Sequence, residues 1–145
     1  MFDLAGLGGS FDHLHDGHKL LIKTALKVAK KAVIGLTTDK LLKHKKYASK
    51  IQSYTARRKA LIAFLKDLGE EKRVEIVPLN DPYGPPVHEE QYEALVVSQE
   101  TYKTAVKMNE MREEKGFEPL ILVVIPLLKD KQEKKLSSTN IRKNL

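Results

Sequence analysis

The sequence has no cysteine, no tryptophan, few aromatic residues and no long hydrophobic run in its 145 residues. The absence of cysteine excludes disulfides, thiolate catalysis and cysteine-based zinc or iron–sulfur sites. A membrane-spanning helix needs roughly 18 consecutive apolar residues, whereas the longest candidate, residues 120–128, has the length of a strand and contains Pro126. The chain begins Met-Phe-Asp, with no basic stretch before an apolar one, so we expect no signal peptide, no membrane partner and a cytoplasmic protein.

Positive charge is in excess, because 26 lysines and arginines outnumber 19 acidic residues and give a net charge of +7. Such a surface attracts polyanions, including nucleic acid, anionic membranes and phosphate-bearing small molecules. A content of 31% charged residues is equally typical of the solvated lysine and glutamate surface of heat-adapted proteins. Charge alone therefore names no ligand.

Apolar blocks alternate with helical patterns along the chain. The pattern predicts strands at residues 2–7, 32–36, 74–77, 94–97 and 120–125, helices at residues 17–30, 55–68 and 101–114, and a short C-terminal helix. This alternation is typical of right-handed crossovers and a parallel sheet. Without internal repeats or linkers, it predicts one α/β domain over residues 1–145, with a five-stranded parallel sheet and helices on both faces.

Ligands of such sheets bind outside the carboxyl ends of the strands, where the strand order reverses. The segments that follow the predicted strands are residues 8–18, 37–45, 79–86, 98–101 and 127–139. Residues that carry chemistry are therefore expected in these segments.

The first of these segments reads GGSFDHLHDGH at residues 8–18. Two glycines allow a tight turn and close approach of the backbone to a ligand. The helix that follows directs its N-terminal amides at that point and favours an anion such as phosphate. His15 and His18 are spaced so that both imidazoles face one point, with room for a phosphate beside Gly17.

Two known phosphate-binding motifs do not match this segment, and two further interpretations of it stay open. A dinucleotide-binding fingerprint needs a third glycine where Phe11 stands, and a Walker-type loop needs lysine after Gly17 rather than His18. His13, His15 and His18 could be zinc ligands, although no further ligand follows at a suitable spacing. The segment could also be a histidine-rich surface loop without function.

A second motif, Ser137-Ser138-Thr139 followed by Arg142, lies near the end of the chain. Hydroxyl residues at a helix start are ordinarily a cap. They could also donate hydrogen bonds to phosphate oxygens, with Arg142 one turn further along able to bind an anion.

A lysine-rich stretch follows the second predicted strand. Lysine runs usually form a solvated face, but the position beyond a strand end makes one of them a candidate phosphate clamp. The candidates are Lys40, Lys43, Lys45 and Lys46, with Arg57 and Arg58 in second rank.

The pairing of HxGH at residues 15–18 with SSTxxR at residues 137–142 resembles the nucleotidyltransferase superfamily, which has a Rossmann-like domain. The segments DPYGP at residues 81–85 and VVSQETY at residues 96–102 look like the phosphopantetheine adenylyltransferases of archaeal and eukaryotic type. The resemblance covers essentially the whole chain.

The resemblance implies that ATP and 4′-phosphopantetheine react, with Mg²⁺, to give dephospho-coenzyme A and pyrophosphate. It implies in-line attack without a covalent intermediate, which requires positioning and charge stabilisation. An adenylyl- or cytidylyltransferase that acts on another phosphate acceptor, such as FMN, nicotinamide mononucleotide (NMN) or glycerol phosphate, is the nearest alternative.

The resemblance also implies roles for individual residues, and assigns no metal ligands. The implied catalytic residues are His18, His15 and Lys43. The implied ATP-binding residues are Gly9, Ser10, Phe11, His15, His18, Ser98, Glu100, Ser137, Ser138, Thr139 and Arg142. The implied acceptor-binding residues are Ser10, Lys40, Lys43, Leu79, Asp81 and Tyr83.

A non-catalytic nucleic-acid-binding module is the alternative from a different class, and the net charge of +7 motivates it. Aromatic residues are sparse and do not interleave with the basic run, as base-stacking platforms require. We therefore expect small-molecule partners, no nucleic acid, and a monomer or small homo-oligomer.

Overall fold

The computed structural model describes residues 1–43 and 50–126, which contain a five-stranded sheet and four α-helices. The strands are β1 (Phe2–Gly9), β2 (Ala29–Thr37), β3 (Val74–Leu79), β4 (Ala94–Val97) and β5 (Ile121–Val124). The helices are α1 (Asp16–Val28), α2 (Asp39–Leu42), α3 (Tyr54–Leu68) and α4 (Tyr102–Glu114). All paired strands are parallel, in the order β3-β2-β1-β4-β5, which confirms the predicted fold class.

The strand order reverses between β1 and β4. From β1 the chain proceeds outward through β2 and β3 on one side, and it then crosses to β4 and β5 on the other. The two central strands are in register at Ala5 and Ala94. Because ligands of open parallel sheets bind at such a reversal, the HxGH motif after β1 and residues 98–101 after β4 lie at the expected place.

Apolar side chains cover both faces of the sheet, as strands of a parallel sheet require. On one face, α1 and α3 pack against the sheet, and on the other face α4 does so. β2 is buried continuously from Ala32 to Thr37. The largest cluster on the first face includes Leu7, Phe11, Ile22, Leu26, Ile34, Leu36, Leu61 and Leu65, and the opposite cluster includes Val33, Val87, Tyr92, Leu95, Val97, Ala105, Met108 and Leu120.

The predicted end of the first helix at residue 30 was wrong, because α1 ends at Val28 and β2 begins directly at Ala29. Ala29 pairs with Phe2 in the β1–β2 ladder. The guanidinium of Arg73 donates to the carbonyls of Leu26 and Ala29 at 2.7 Å each and so binds the last turn of the helix. Long-range contacts therefore end α1 two residues before its predicted end.

Helix α2 was not predicted, because three of its four residues, Lys40, Leu41 and Leu42, lie within the lysine-rich stretch. The hydroxyl of Thr38 accepts from the amide of Leu41 at 3.3 Å and caps the helix. The predicted C-terminal helix lies outside the described residues. Within residues 1–43 and 50–126, no helix is long and apolar enough to span a membrane.

Candidate active site

His15 and His18 form a stacked pair at the N-terminus of α1. His15 is the N-cap, and its Nδ1 accepts from the amides of Gly17 at 3.0 Å and His18 at 3.4 Å. The amide of His15 in turn donates to His18 Nδ1 at 3.2 Å. The ring centroids are 3.7 Å apart with an interplanar angle of 18°. The two imidazoles thus lie together, as their spacing predicts.

These hydrogen bonds define which ring nitrogens carry protons. Since Nδ1 accepts in both rings, the neutral imidazoles carry their protons on Nε2, which makes Nε2 a donor. His15 Nε2 is buried and has no hydrogen-bond partner within residues 1–43 and 50–126. The buried ring of Phe11 lies 5.3 Å from the ring of His18 and supports it. Both rings therefore carry an Nε2–H group at the start of the helix, where the helix dipole also favours an anion.

Burial lowers the pKa of His15 below its ordinary value, and the carboxylates of Asp16 and Glu100 partly oppose this shift. His15 is therefore neutral at neutral pH, as its role as a hydrogen-bond acceptor at the helix cap requires. The effect of Glu100 also shows that the segment after β4 lies near the histidine pair.

The neutral form of His15 should make the stability of the fold dependent on pH. Because the folded-state pKa is lowered, this stabilisation is complete above the unfolded-state value of about 6.5 and is lost as the pH falls through the folded-state pKa. His15→Asn retains a capping side chain that does not titrate. Urea unfolding at about pH 7.5 and about pH 5 should show a larger loss of unfolding free energy in the wild type than in the variant. An equal loss of unfolding free energy in both proteins would contradict a stabilising role of neutral His15.

Two of the candidate lysines for binding the acceptor phosphate lie at the carboxyl edge of the sheet, as the histidine pair does. Lys40 is in α2 and Lys43 follows it, and both are exposed. The amide of Thr38 donates to the carbonyl of Leu79 at 3.1 Å and joins the carboxyl ends of β2 and β3. Lys45 and Lys46 lie outside the described residues, as do Ser137, Ser138, Thr139 and Arg142.

Arg57 does not present its guanidinium to a ligand, contrary to its second-rank assignment as a phosphate clamp. Its side chain is fully buried and donates to the carbonyls of Ser10 at 2.9 Å and Thr37 at 2.7 Å. Further bonds go to the carbonyl of Gln52 at 2.9 Å and to Asp39 Oδ1 at 3.0 Å. Arg58, by contrast, is exposed on α3.

A cavity of about 290 Å³ lies on the α4 face of the sheet and reaches the carboxyl end of β1. Its sheet side includes Gly6, Gly8 and Gly35, so this part of its lining is backbone without side chains. The remaining lining is mostly apolar and includes Leu41, Leu79, Pro82, Tyr83, Pro86, Tyr92, Leu95, Thr101, Thr104, Ala105 and Met108. Such a cavity suits the apolar part of a ligand whose charged end lies at the histidine pair.

Of the predicted acceptor residues after β3, Leu79 and Tyr83 line the cavity, whereas Asp81 does not. Asp81 Oδ1 accepts from the amides of Tyr83 and Gly84, each at 2.8 Å, and so stabilises the turn. The bond from Gly84 is the main reason that the pKa of the Asp81 carboxyl is lowered. The structure thus places Asp81 as a residue that shapes the loop.

The helix wall of the cavity was missed by the sequence analysis. This wall is one face of α4 together with its N-cap, and it consists of Thr101, Thr104, Ala105 and Met108. Their spacing of three, one and three residues is the available signal, because it places them on one side of the predicted helix. Ser98, which was predicted, makes the preceding turn by donating its amide to Thr101 Oγ1 at 3.1 Å.

The zinc alternative finds no support in the described residues. Within residues 1–43 and 50–126, no group of three or more histidine, aspartate or glutamate side chains is placed to hold a metal ion. His13 Nε2 lies 3.7 Å from the buried carboxylate of Asp12 and 3.5 Å from the carbonyl of Lys50. His13 is therefore directed at the segment near residue 50.

Comparison with known proteins gives consistent results for sequence and structure. The family model of the cytidylyltransferase-like proteins matches residues 7–144. The phosphopantetheine adenylyltransferase of Pyrococcus abyssi (strain GE5 / Orsay) is 45% identical over 139 residues, which are 96% of this chain and 88% of that protein. The Saccharomyces cerevisiae protein of the same name is 42% identical over 149 residues, which cover 99% of this chain and 49% of that protein. A crystal structure of an Archaeoglobus fulgidus protein of unknown function has a TM-score of 0.74 and 32% identity, over 86% of this chain and 89% of that one.

Proposed function

Since this chain belongs to the cytidylyltransferase-like family, and by its relatives to the phosphopantetheine adenylyltransferases, we propose that it transfers the adenylyl group of ATP to 4′-phosphopantetheine. The products are dephospho-coenzyme A and pyrophosphate. The observation that carries this proposal is the stacked His15–His18 pair at the strand-order reversal, beside an apolar cavity. A polar, anion-binding reaction centre next to an apolar cleft fits an acceptor with a phosphate at one end of a long arm.

The chemistry requires no nucleophile from the protein. A phosphate oxygen of the acceptor attacks the α-phosphorus of ATP in line, a P–O bond forms, and the bond to the bridging oxygen breaks as pyrophosphate leaves. His18 donates its Nε2 proton as a hydrogen bond to the α-phosphate, where charge develops in the transition state. His15 assists on the neighbouring phosphates, at the positive end of the helix dipole. The main chain of residues 9–11 contacts the nucleotide, since the Phe11 side chain is buried.

The acceptor binds on the other side of the reaction centre in this proposal. Lys43, with Lys40 as the alternative, neutralises its phosphate. Leu79 and Tyr83 contact its pantetheine arm within the cavity. All 145 residues form one catalytic domain, in which Ser137, Ser138, Thr139 and Arg142 hold the β- and γ-phosphates, and Ser98 with Glu100 lies on the adenosine side.

In this proposal Mg²⁺ would enter the site together with the nucleotide. The described residues offer no three-ligand cluster for a metal ion, and Mg²⁺ is commonly held by substrate phosphates, water and one or two carboxylates. When bound, the ion neutralises part of the triphosphate charge. The residues of the chain orient the triphosphate and the acceptor.

The test is pyrophosphate release by the purified full chain with ATP, Mg²⁺ and one acceptor at a time. We expect turnover with 4′-phosphopantetheine to exceed that with FMN, NMN or glycerol phosphate by about tenfold or more, because only the pantetheine arm fills the apolar cavity. Chromatography should identify dephospho-coenzyme A as the product. Preferred turnover of another acceptor would assign the chain to that alternative, and no turnover with any acceptor would contradict an adenylyltransferase.

A further inference from the structure

Arg57 connects the loop after β1 with the end of β2 and the start of α2, the two segments that contact the reactants in the proposed function. It lies in the first turn of α3, and its side chain has an exposed fraction of 0%. Its bond to the carbonyl of Ser10 holds the loop after β1, and its bond to the carbonyl of Thr37 holds the end of β2. Its bond to Asp39 Oδ1 holds the first residue of α2.

A second set of contacts, made by Gln52, joins the loop after β1 to the segment before α3. The amide of Gln52 donates to Asp12 Oδ1 at 2.8 Å, and the amide of His13 donates to Gln52 Oε1 at 2.8 Å. Arg57 itself donates to the carbonyl of Gln52. The loop after β1, the start of α2 and the start of α3 are thus joined around one guanidinium.

What distinguishes Arg57 is where its acceptors lie, because Arg112 is also buried and donates to backbone carbonyls. Burying a guanidinium is unfavourable unless it is fully hydrogen-bonded, and the carboxylate of Asp39, which accepts from Arg57, belongs to a side chain that is 61% exposed. An apolar residue would fill buried space at lower desolvation cost. Arginine supplies a planar guanidinium that fixes several acceptors at set distances. Those acceptors belong to the loop after β1 and to the segment that joins β2 to α2.

We propose that Arg57 is a positioning residue for adenylyl transfer. This inference rests on the proposed function, in which the loop after β1 and the histidine pair hold the α-phosphate while α2 presents Lys40 and Lys43 to the acceptor phosphate. In-line attack is sensitive to the separation of these groups, and misplacement by about 1 Å can lower a rate by up to about 10²-fold. Arg57 fixes that separation through Ser10, Thr37 and Asp39.

The test compares Arg57→Lys with Arg73→Lys. Arg73 also donates to three backbone carbonyls and to Glu70, but at the start of β2, the opposite end of the sheet from the site. Lysine keeps the charge and loses the fork, so both variants should have a lower Tm. At a temperature where both are folded, Arg57→Lys should lower kcat about tenfold and change the ATP dissociation constant less than about threefold. Arg73→Lys should retain the wild-type kcat.

Hydrogen exchange provides a readout that does not depend on activity. In Arg57→Lys the amides of residues 10–13 and 38–42 should exchange faster than in the wild type and in Arg73→Lys. A kcat within about threefold of the wild type, or equal exchange in the two variants, would overturn the proposal. If the wild-type protein transfers no adenylyl group, the proposed function fails, while the exchange result still tests the brace.

Asp39→Ala serves if Arg57→Lys does not fold. This exposed position contributes the carboxylate that accepts from Arg57 and from the amide of Tyr54. Its loss should release α2 from the brace and lower kcat about threefold with unchanged ATP affinity. An unchanged kcat in this variant would equally refute the positioning role.

Discussion

Replacing His18 with alanine is expected to lower kcat by about 10²–10³-fold, the effect of losing one donor to a transition state. The structure supplies the reason, because His18 Nδ1 accepts from the amide of His15 and leaves the Nε2 proton as the donor. The ring stacks on His15 and also contacts the ring of Phe11, and both contacts hold it in place. A donor fixed in this way stabilises developing charge without reorganising during the reaction.

Affinity for ATP should change much less than the rate in His18→Ala, since the interaction strengthens only as the α-phosphate becomes pentavalent. Single-turnover kinetics with preformed enzyme and ATP measures the chemical step directly. His13→Asn is the matched control, because His13 belongs to the same segment but is directed at Lys50 and Asp12. Asparagine also tolerates the positive φ of 47° at this position. A chemical step of unchanged rate in His18→Ala would remove His18 from the proposed role.

The fold was predictable because its determinants are local and repeated. The continuous burial of β2 follows directly from the apolar run at residues 32–36. The same local signals fixed the end of α3 at Gly69, whose φ of 71° forms the left-handed cap. The predicted end of α1 was wrong, because contacts between residues distant in sequence determine it. The bonds from Arg73 and the pairing of Phe2 with Ala29 end the helix before residue 30.

The same distinction applies to the candidate site. The approach of His15 and His18 follows from their spacing at a helix start, so it was predictable. The role of Arg57 was not, because its acceptors Ser10 and Thr37 lie 47 and 20 residues away in sequence. The cavity likewise combines glycines of two strands with one face of α4, and only the sheet register places them together.

The glycine at position 8 carries the second large prediction. Gly8 pairs with Gly35 across β1 and β2, and neither has a positive φ. A Cβ at Gly8 would lie 3.5 Å from the carbonyl oxygen of Gly35 and 3.5 Å from Leu79 Cδ2, which are ordinary contacts. The folded chain can therefore accept alanine here, and glycine within a strand costs about 0.5–1 kcal/mol relative to alanine. The added methyl group would occupy part of the cavity, which Gly8 and Leu79 line.

Gly8→Ala should therefore separate stability from acceptor binding. We expect an unfolding free energy equal to the wild type or higher by about 0.5–1 kcal/mol, together with a rise of about 10–10²-fold in KM for 4′-phosphopantetheine, the effect of one misplaced methyl in a fitted pocket. The ATP dissociation constant should stay within about threefold of the wild type, because the histidine pair lies beyond the end of β1. Urea denaturation, acceptor titration and calorimetry with ATP measure the three quantities. A wild-type KM in the variant would place the pantetheine arm elsewhere. Higher stability with weaker acceptor binding would mean that the glycines on the sheet side of the cavity leave space for the substrate and do not serve the stability of the fold.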